Sequence, residues 1–208
     1  SVTSAGYEDD WLQEAIANYA SLVMLENRRG SKVMDRVMGE YRDRLLQKGQ
    51  DGKAMESAGP VTFGIRLQSS QSPGAWRTIV YDKGAWIIHM LRRRMGDSLF
   101  WPMLAETVKR YQGQGLTTAQ FREIAADFLS RQPAADSYFA FDPKLETFFD
   151  TWCQGVGIPA LKFQWSVKGT APKVVLTATV TQSGVAEDFS DVVPIEIQLA
   201  KGRTITRW

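Results

Sequence analysis

The sequence predicts an α+β chain, mainly helical to about residue 160 and antiparallel sheet beyond it. Three observations predict this. Apolar residues recur at helical spacing from the start, as in Leu12, Ile16, Tyr19 and Val23. After the breakers Gly155, Gly157 and Pro159 they alternate instead, at Phe163, Trp165 and Val167, over 175–179 and over 193–199. A chain of 208 residues is long enough for one good core, or for one domain and part of a second. The expected division is 1–159, helical, and 160–208, a small antiparallel β-sandwich with too few strands to be complete.

The first helix is expected over about 10–26, with Asp10 as its cap and Gln13 as the reciprocal partner. Asn27 to Gly30 end it. Ser31 caps a second, with Val33, Val37, Tyr41 and Leu45 on one face. Residues 49–75 hold Gly59-Pro60, Gly64 and Pro73-Gly74 and read as a structured loop region, the kind of segment that walls a cleft. A third helix is expected over about 77–95 and a fourth over 97–111, with Pro102 near its first turn. Thr117 and Gln120 form a capping box for a fifth, ending near Ser130. Asp142-Pro143 opens a short helix carrying Leu145, Phe148, Phe149 and Trp152, the last three expected in the core.

Composition excludes several classes of function. Hydrophobic residues are 44% and charged residues 23%, ordinary for a globular protein. A net charge of +2 gives no reason to expect a nucleic-acid partner, and the run Arg92, Arg93, Arg94 reads as the solvated end of a helix. No apolar stretch approaches the ~20 residues of a membrane span. Residues 1–10 show no signal-peptide pattern. Cys153 is the one cysteine and His89 the one histidine. Protein zinc sites take several His or Cys ligands, so these residues alone build no familiar one. His89 itself reads as a packing residue on an amphipathic helix.

Two motifs narrow the reading. The opening runs Val2-Thr-Ser-Ala-Gly-Tyr-Glu-Asp-Asp-Trp-Leu-Gln-Glu14-Ala-Ile-Ala-Asn-Tyr19. It resembles the aminopeptidase N family segment Val-Thr…Asp-x-Trp-Leu-x-Glu-Gly-x-Ala-x-Tyr. Further on, Tyr81-Asp-Lys-Gly84-Ala-Trp-Ile-Ile-His-Met-Leu-Arg is similar to that family's Tyr-x-Lys-Gly-Ala stretch. A weaker match links 142–159 to the segment that ends the family's catalytic domain and leads into a small β-sandwich, of which Val193-Pro-Ile-Glu-Ile197 resembles a strand.

The resemblance implies the C-terminal, helical part of a thermolysin-like zinc aminopeptidase catalytic domain, followed by the start of a β-sandwich. It implies that Glu14 is the third zinc ligand and Tyr81 the catalytic tyrosine. The first two ligands in such enzymes are the His pair of HExxH, at i and i+4 on one helix face, with its Glu as general base. That helix, and the family's Gly-x-Met-Glu-Asn type motif, are missing here, so zinc belongs to the parent protein and none is expected bound to this chain. The parent would remove N-terminal residues from peptides, and the chain alone is expected to be inactive. Ala15 stands where Gly is commoner.

Gly84, inside a helix, calls for close packing. Asp82 and Lys83 are assigned no role. Arg66 and Arg77 are possible holders of a substrate carboxylate. A cleft stripped of partner helices exposes apolar surface, so self-association is expected. The competing readings are a non-catalytic relative serving as a scaffold and a free-standing helical binding module. Retention of both Glu14 and Tyr81 argues against the first, and their joint occurrence in two motifs against the second.

Overall fold

A computed structural model describes residues 2–131, 141–170 and 173–208. The chain forms two compact units, residues 1–156 with 190–208, and residues 157–189.

The first unit opens with strand β1 (Thr3–Ser4). Helices α1 (Asp10–Arg29) and α2 (Ser31–Leu46) follow. The structured loop region over 49–75 contains two 3₁₀ segments, Met55–Ala58 and Val61–Leu67. Next comes one continuous helix in three parts: α3 (Ala75–Arg77), a π-helical segment Thr78–Lys83, and α4 (Gly84–Met95). Helix α5 (Asp97–Tyr111), strand β2 (Gly115–Leu116) and helix α6 (Thr118–Leu129) complete the first part of this unit. After residue 140 come α7 (Glu146–Phe149) and a π-helical turn Asp150–Gln154. β1 and β2 pair in parallel, which pins the residues ahead of α1 to those ahead of α6.

Helix α1 packs on both α2 and α4. Its core face is Trp11, Leu12, Ala15, Tyr19 and Leu22, all buried, whereas Ile16 and Val23 are half-buried. The stripe is rotated from the expected one because Trp11 and Ala15, not Ile16, meet α4. In α2 the methionines Met34 and Met38 are buried with Leu45, while Val33, Val37 and Tyr41 sit at the margin. Flexible Met side chains fill a seam that the β-branched residues only flank. Phe148, Phe149 and Trp152 are buried as expected.

Helix ends differ from the sequence reading in instructive ways. The capping box at Thr117 and Gln120 is present in both directions, with Gln120 N–H donating to Thr117 Oγ1 and Thr117 N–H to Gln120 Oε1. Asp10 is the first helical residue, not the cap, and accepts from the Ser4 hydroxyl. Its neighbour Asp9 is drawn away to another helix: its carboxylate accepts from the backbone and hydroxyl of Thr118, at 2.7 and 2.9 Å. Ser31 likewise does not cap α2, whose start follows directly on Gly30. Asp142 lies ahead of α7 but accepts from the N–H groups of Thr147 and Phe148, so a carboxylate serves that short helix from five and six residues away.

The arginine run is not a solvated end. Arg94 is 4% exposed and donates to the carboxylate and carbonyl of Asp142. Arg92 bridges Glu26 and Asp97. Only Arg93 is exposed, paired with Glu196. Three consecutive helical positions point in three directions, and each of the three here meets a carboxylate from another part of the chain.

Strands β5 (Ile195–Gln198) and β6 (Thr204–Arg207) form an antiparallel pair in the first unit. The second unit is an antiparallel hairpin of β3 (Ala160–Thr170) and β4 (Lys173–Ser183). Its register places Phe163 opposite Val180, Trp165 opposite Ala178 and Val167 opposite Leu176. One face is therefore apolar along its length, and the other carries Lys162, Gln164, Ser166 and Lys168.

Candidate active site

Glu14 lies one turn into α1, a helix whose position is fixed by contacts on either side of that residue. Trp11, a turn earlier, is fully buried and donates its indole N–H to Thr118 Oγ1 at 3.0 Å. Ala15 is also fully buried and faces Gly84. A Cβ added at Gly84 would lie 2.7 Å from Ala15 Cβ. The two helices thus cross at a point where only a hydrogen fits on one side. This accounts for a glycine in a helix interior, where it costs about 1 kcal/mol relative to alanine.

That crossing brings the π-helical segment against α1. The sequence predicts an ordinary helix over these residues; the structure winds Thr78–Lys83 one residue wider. A wide turn re-aims successive side chains and loosens the backbone ladder, and such turns recur at functional sites. Here Ile79 and Val80 enter the core. Tyr81 comes close to Glu14, whose carboxylate acts on the phenol. The Tyr81 carbonyl accepts from Asn18 Nδ2 at 3.0 Å, and Asn18 Oδ1 accepts from the Tyr41 hydroxyl at 3.0 Å.

The next two residues anchor the segment. Asp82 takes a two-pronged pair from Arg44 on α2, at 2.7 and 2.9 Å. Lys83 is 2% exposed and donates to Glu56 at 2.6 Å and to the Gly155 carbonyl at 2.9 Å. Asp82 and Lys83, which the sequence left without a role, are what hold Tyr81 in place. Two adjacent charges of opposite sign inside an apolar motif were the available signal.

Glu14 and Tyr81, distant in sequence, are therefore brought together. Both are half-buried. The neighbouring Glu14 carboxylate, and after it partial burial, raises the Tyr81 phenol above its ordinary value. The phenol is a proton donor at neutral pH. Beside it opens a cavity of about 750 Å³ lined by Asn18, Tyr41, Arg44, Trp76, Arg77, Thr78, Tyr81 and Asp82. Trp76 meets Tyr81 edge to face, with ring centroids 5.7 Å apart. Asn18 and Trp76 were not singled out from the sequence. Asn18 sits four residues after Glu14 on the same helix face, which is the signal that could have found it.

The other candidates lie elsewhere. The His89 ring is in hydrogen-bond contact with the Tyr19 hydroxyl at 2.9 Å, and that hydroxyl also accepts from Arg92. Burial, with Arg93 and Arg92 nearby, lowers the His89 pKa to about 4. The ring is neutral at pH 7. With Arg92 able only to donate, Tyr19 gives its proton to Nδ1, leaving the proton of the imidazole on Nε2. Arg66 stacks on Tyr7 and Phe63 and lies 3.7 Å from Glu8. Cys153 is fully buried, which pushes its thiol far above the usual range and keeps it protonated.

A catalytic zinc takes three protein ligands and a water. Among the described residues no group of three or more His, Cys, Asp and Glu side chains comes together. Glu14 offers one carboxylate, so the described residues do not by themselves fit a zinc site.

The sequence profile of the Peptidase family M1 domain matches residues 1–152, and the chain belongs to that family. No curated protein sequence matches the chain. Among solved structures, it is similar to the M1 zinc metallopeptidase of Deinococcus radiodurans, at 22% identity and a TM-score of 0.53 over 76% of this chain. A mutant form of the same enzyme bound to a Tyr-Ser-Ala substrate matches at 21% identity and the same TM-score. The chain spans 30% of the length of those structures. Among the described residues no helix is long and apolar enough to cross a membrane.

Proposed function

We propose that this chain is the part of a zinc aminopeptidase that supplies the third metal ligand, Glu14, and the oxyanion-stabilising phenol, Tyr81, for removal of N-terminal residues from peptides. The observation that carries the reading is the approach of Glu14 on α1 to Tyr81 on the π-helical segment, with Tyr81 on the wall of a cavity. Both side chains are half-buried, while Ala15, Ile79 and Val80 beside them in sequence belong to the buried core.

In this reading Tyr81 donates its hydroxyl hydrogen to the oxygen of the scissile carbonyl as negative charge develops on it. Preorganised donors of this kind contribute about 3–4 kcal/mol to transition-state stabilisation. A bound zinc would supply the Lewis acid and the activated water. The chain's own part is to place the Glu14 carboxylate, keep Tyr81 protonated, and wall the cavity that receives the peptide. Alone, without the HExxH pair, the chain is inactive.

The test is zinc content by elemental analysis together with alanyl-arylamide hydrolysis. Both are measured on this chain and on the protein preceded by its upstream coding sequence. We expect about one zinc and cleavage only in the longer protein, with both lost in Glu14→Ala. Tyr81→Phe should retain zinc and lose about 10²–10³ in kcat. A longer protein that holds no zinc would instead favour the scaffold reading, with Glu14 an inherited helix residue.

A further inference from the structure

We infer that Arg77 recognises a carboxylate on the leaving-group side of the scissile bond, so that the enzyme favours short peptides ending in, or bearing, a carboxylate close to the cleaved residue. The inference rests on the peptidase reading above and names the substrate class of that site.

The charges around the cavity lead to it. Arg44 and Asp82 neutralise one another in a two-pronged pair. Arg66, the other cation considered from the sequence, is occupied by Glu8, Tyr7 and Phe63 away from the cavity. Arg77 lines the cavity that holds Tyr81 and also a neighbouring one of about 450 Å³ walled by Gln68, Ser69 and Ser70. It has no ion pair or hydrogen-bond partner among the described residues. Among the described residues lining the cavity, Arg77 is thus the cation without an ion-pair partner, flanked by the neutral donors and acceptors of Asn18, Tyr41 and Thr78.

The spacing suits a peptide. Arg77 precedes Tyr81 by four residues on one continuous helix, and the two side chains line the same cavity. A peptide advances about 3.5 Å per residue. With the scissile carbonyl at Tyr81, the carboxylate of the first or second residue beyond it lies within reach of the guanidinium. That planar fork matches a carboxylate with two parallel hydrogen bonds, which a neutral amide cannot equal. The carboxylate has two possible sources, the C-terminus of a dipeptide or tripeptide and an Asp or Glu side chain.

The test uses the full protein with its upstream sequence and three substrates: Ala-Ala, Ala-Ala-amide and Ala-Asp-amide. We expect kcat/KM for Ala-Ala to exceed that for Ala-Ala-amide by about tenfold or more, through KM. Arg77→Gln should bring the ratio close to one, and Arg77→Lys should keep part of it. An equal preference for Ala-Asp-amide assigns recognition to any nearby carboxylate; its absence assigns it to the C-terminus. A ratio near one in the unmodified enzyme, or one that Arg77→Gln leaves in place, overturns the inference while the peptidase reading stands. Failure to hydrolyse any of the three overturns both.

Discussion

Gly84 and His89 show how single residues set conditions for the site. Gly84→Ala adds a methyl group 2.7 Å from Ala15 Cβ. Overpacking of this kind costs about 1–3 kcal/mol, against a helix-propensity gain of about 1 kcal/mol. We expect net destabilisation in urea melts, and recovery of most of it when Ala15→Gly is added; a single variant as stable as the parent would refute the crossing as drawn. His89 contributes a pH dependence. Its folded pKa of about 4 lies below the ordinary 6.5, so the unfolded chain takes up the proton first as pH falls. The stability tied to the neutral ring is whole above about pH 6.5 and is lost as pH drops toward 4, on the order of 2–4 kcal/mol. His89→Gln should lose less stability than the parent between pH 7 and pH 4; parallel losses would show that the ring titrates normally. Both effects were half-legible in the sequence. A helical glycine demands a neighbour but does not name Ala15, and a lone histidine suggests packing but not the Tyr19 and Arg92 chain that fixes its tautomer.

At the scale of elements, the π-helical segment is the feature that periodicity does not reveal. The apolar pattern of 75–95 is satisfied by an ordinary helix except at Tyr81-Asp82-Lys83, where one residue faces the cavity and two charges are buried. A buried charge is tolerated when paired, and the partners here, Arg44 and Glu56, come from segments whose proximity no local pattern encodes. The motifs around Glu14 and Tyr81 were legible because they are distinctive; the supports of these residues were not. Lys83→Met would leave Glu56 buried without its cation. We expect a loss of about 3–5 kcal/mol in chemical denaturation, and a smaller loss when Glu56 is replaced by Leu as well. Equal losses in the single and double variants would mean that the pair carries no special coupling.

Across the whole molecule, the sequence marks the change from helix to sheet near residue 160 but not which segments keep company. Residues 190–208 return to the helical unit, and 157–189 stand as a two-stranded ribbon. Such a ribbon is marginal in water unless its apolar face is covered. Phe163, Trp165, Val167 and Val180 are all exposed, Trp165 by 65%. We expect the chain to self-associate in sedimentation experiments, and Trp165→Lys to shift it toward the monomer. A monodisperse monomer at high concentration would remove the expectation.

The link from Asp9 to Thr118 bears on how the protein is made. A carboxylate at the head of α1 finds its donors only at the head of α6, and β1 finds β2 just before it. During synthesis the ribosome must therefore release more than half of this chain before the helix bearing Glu14 is clamped at its leading end. Until then that helix lacks this clamp, and domains generally complete their folding as units. The nascent chain should stay sensitive to protease around residues 2–9 until Thr118 has emerged, and become resistant as a step, not gradually.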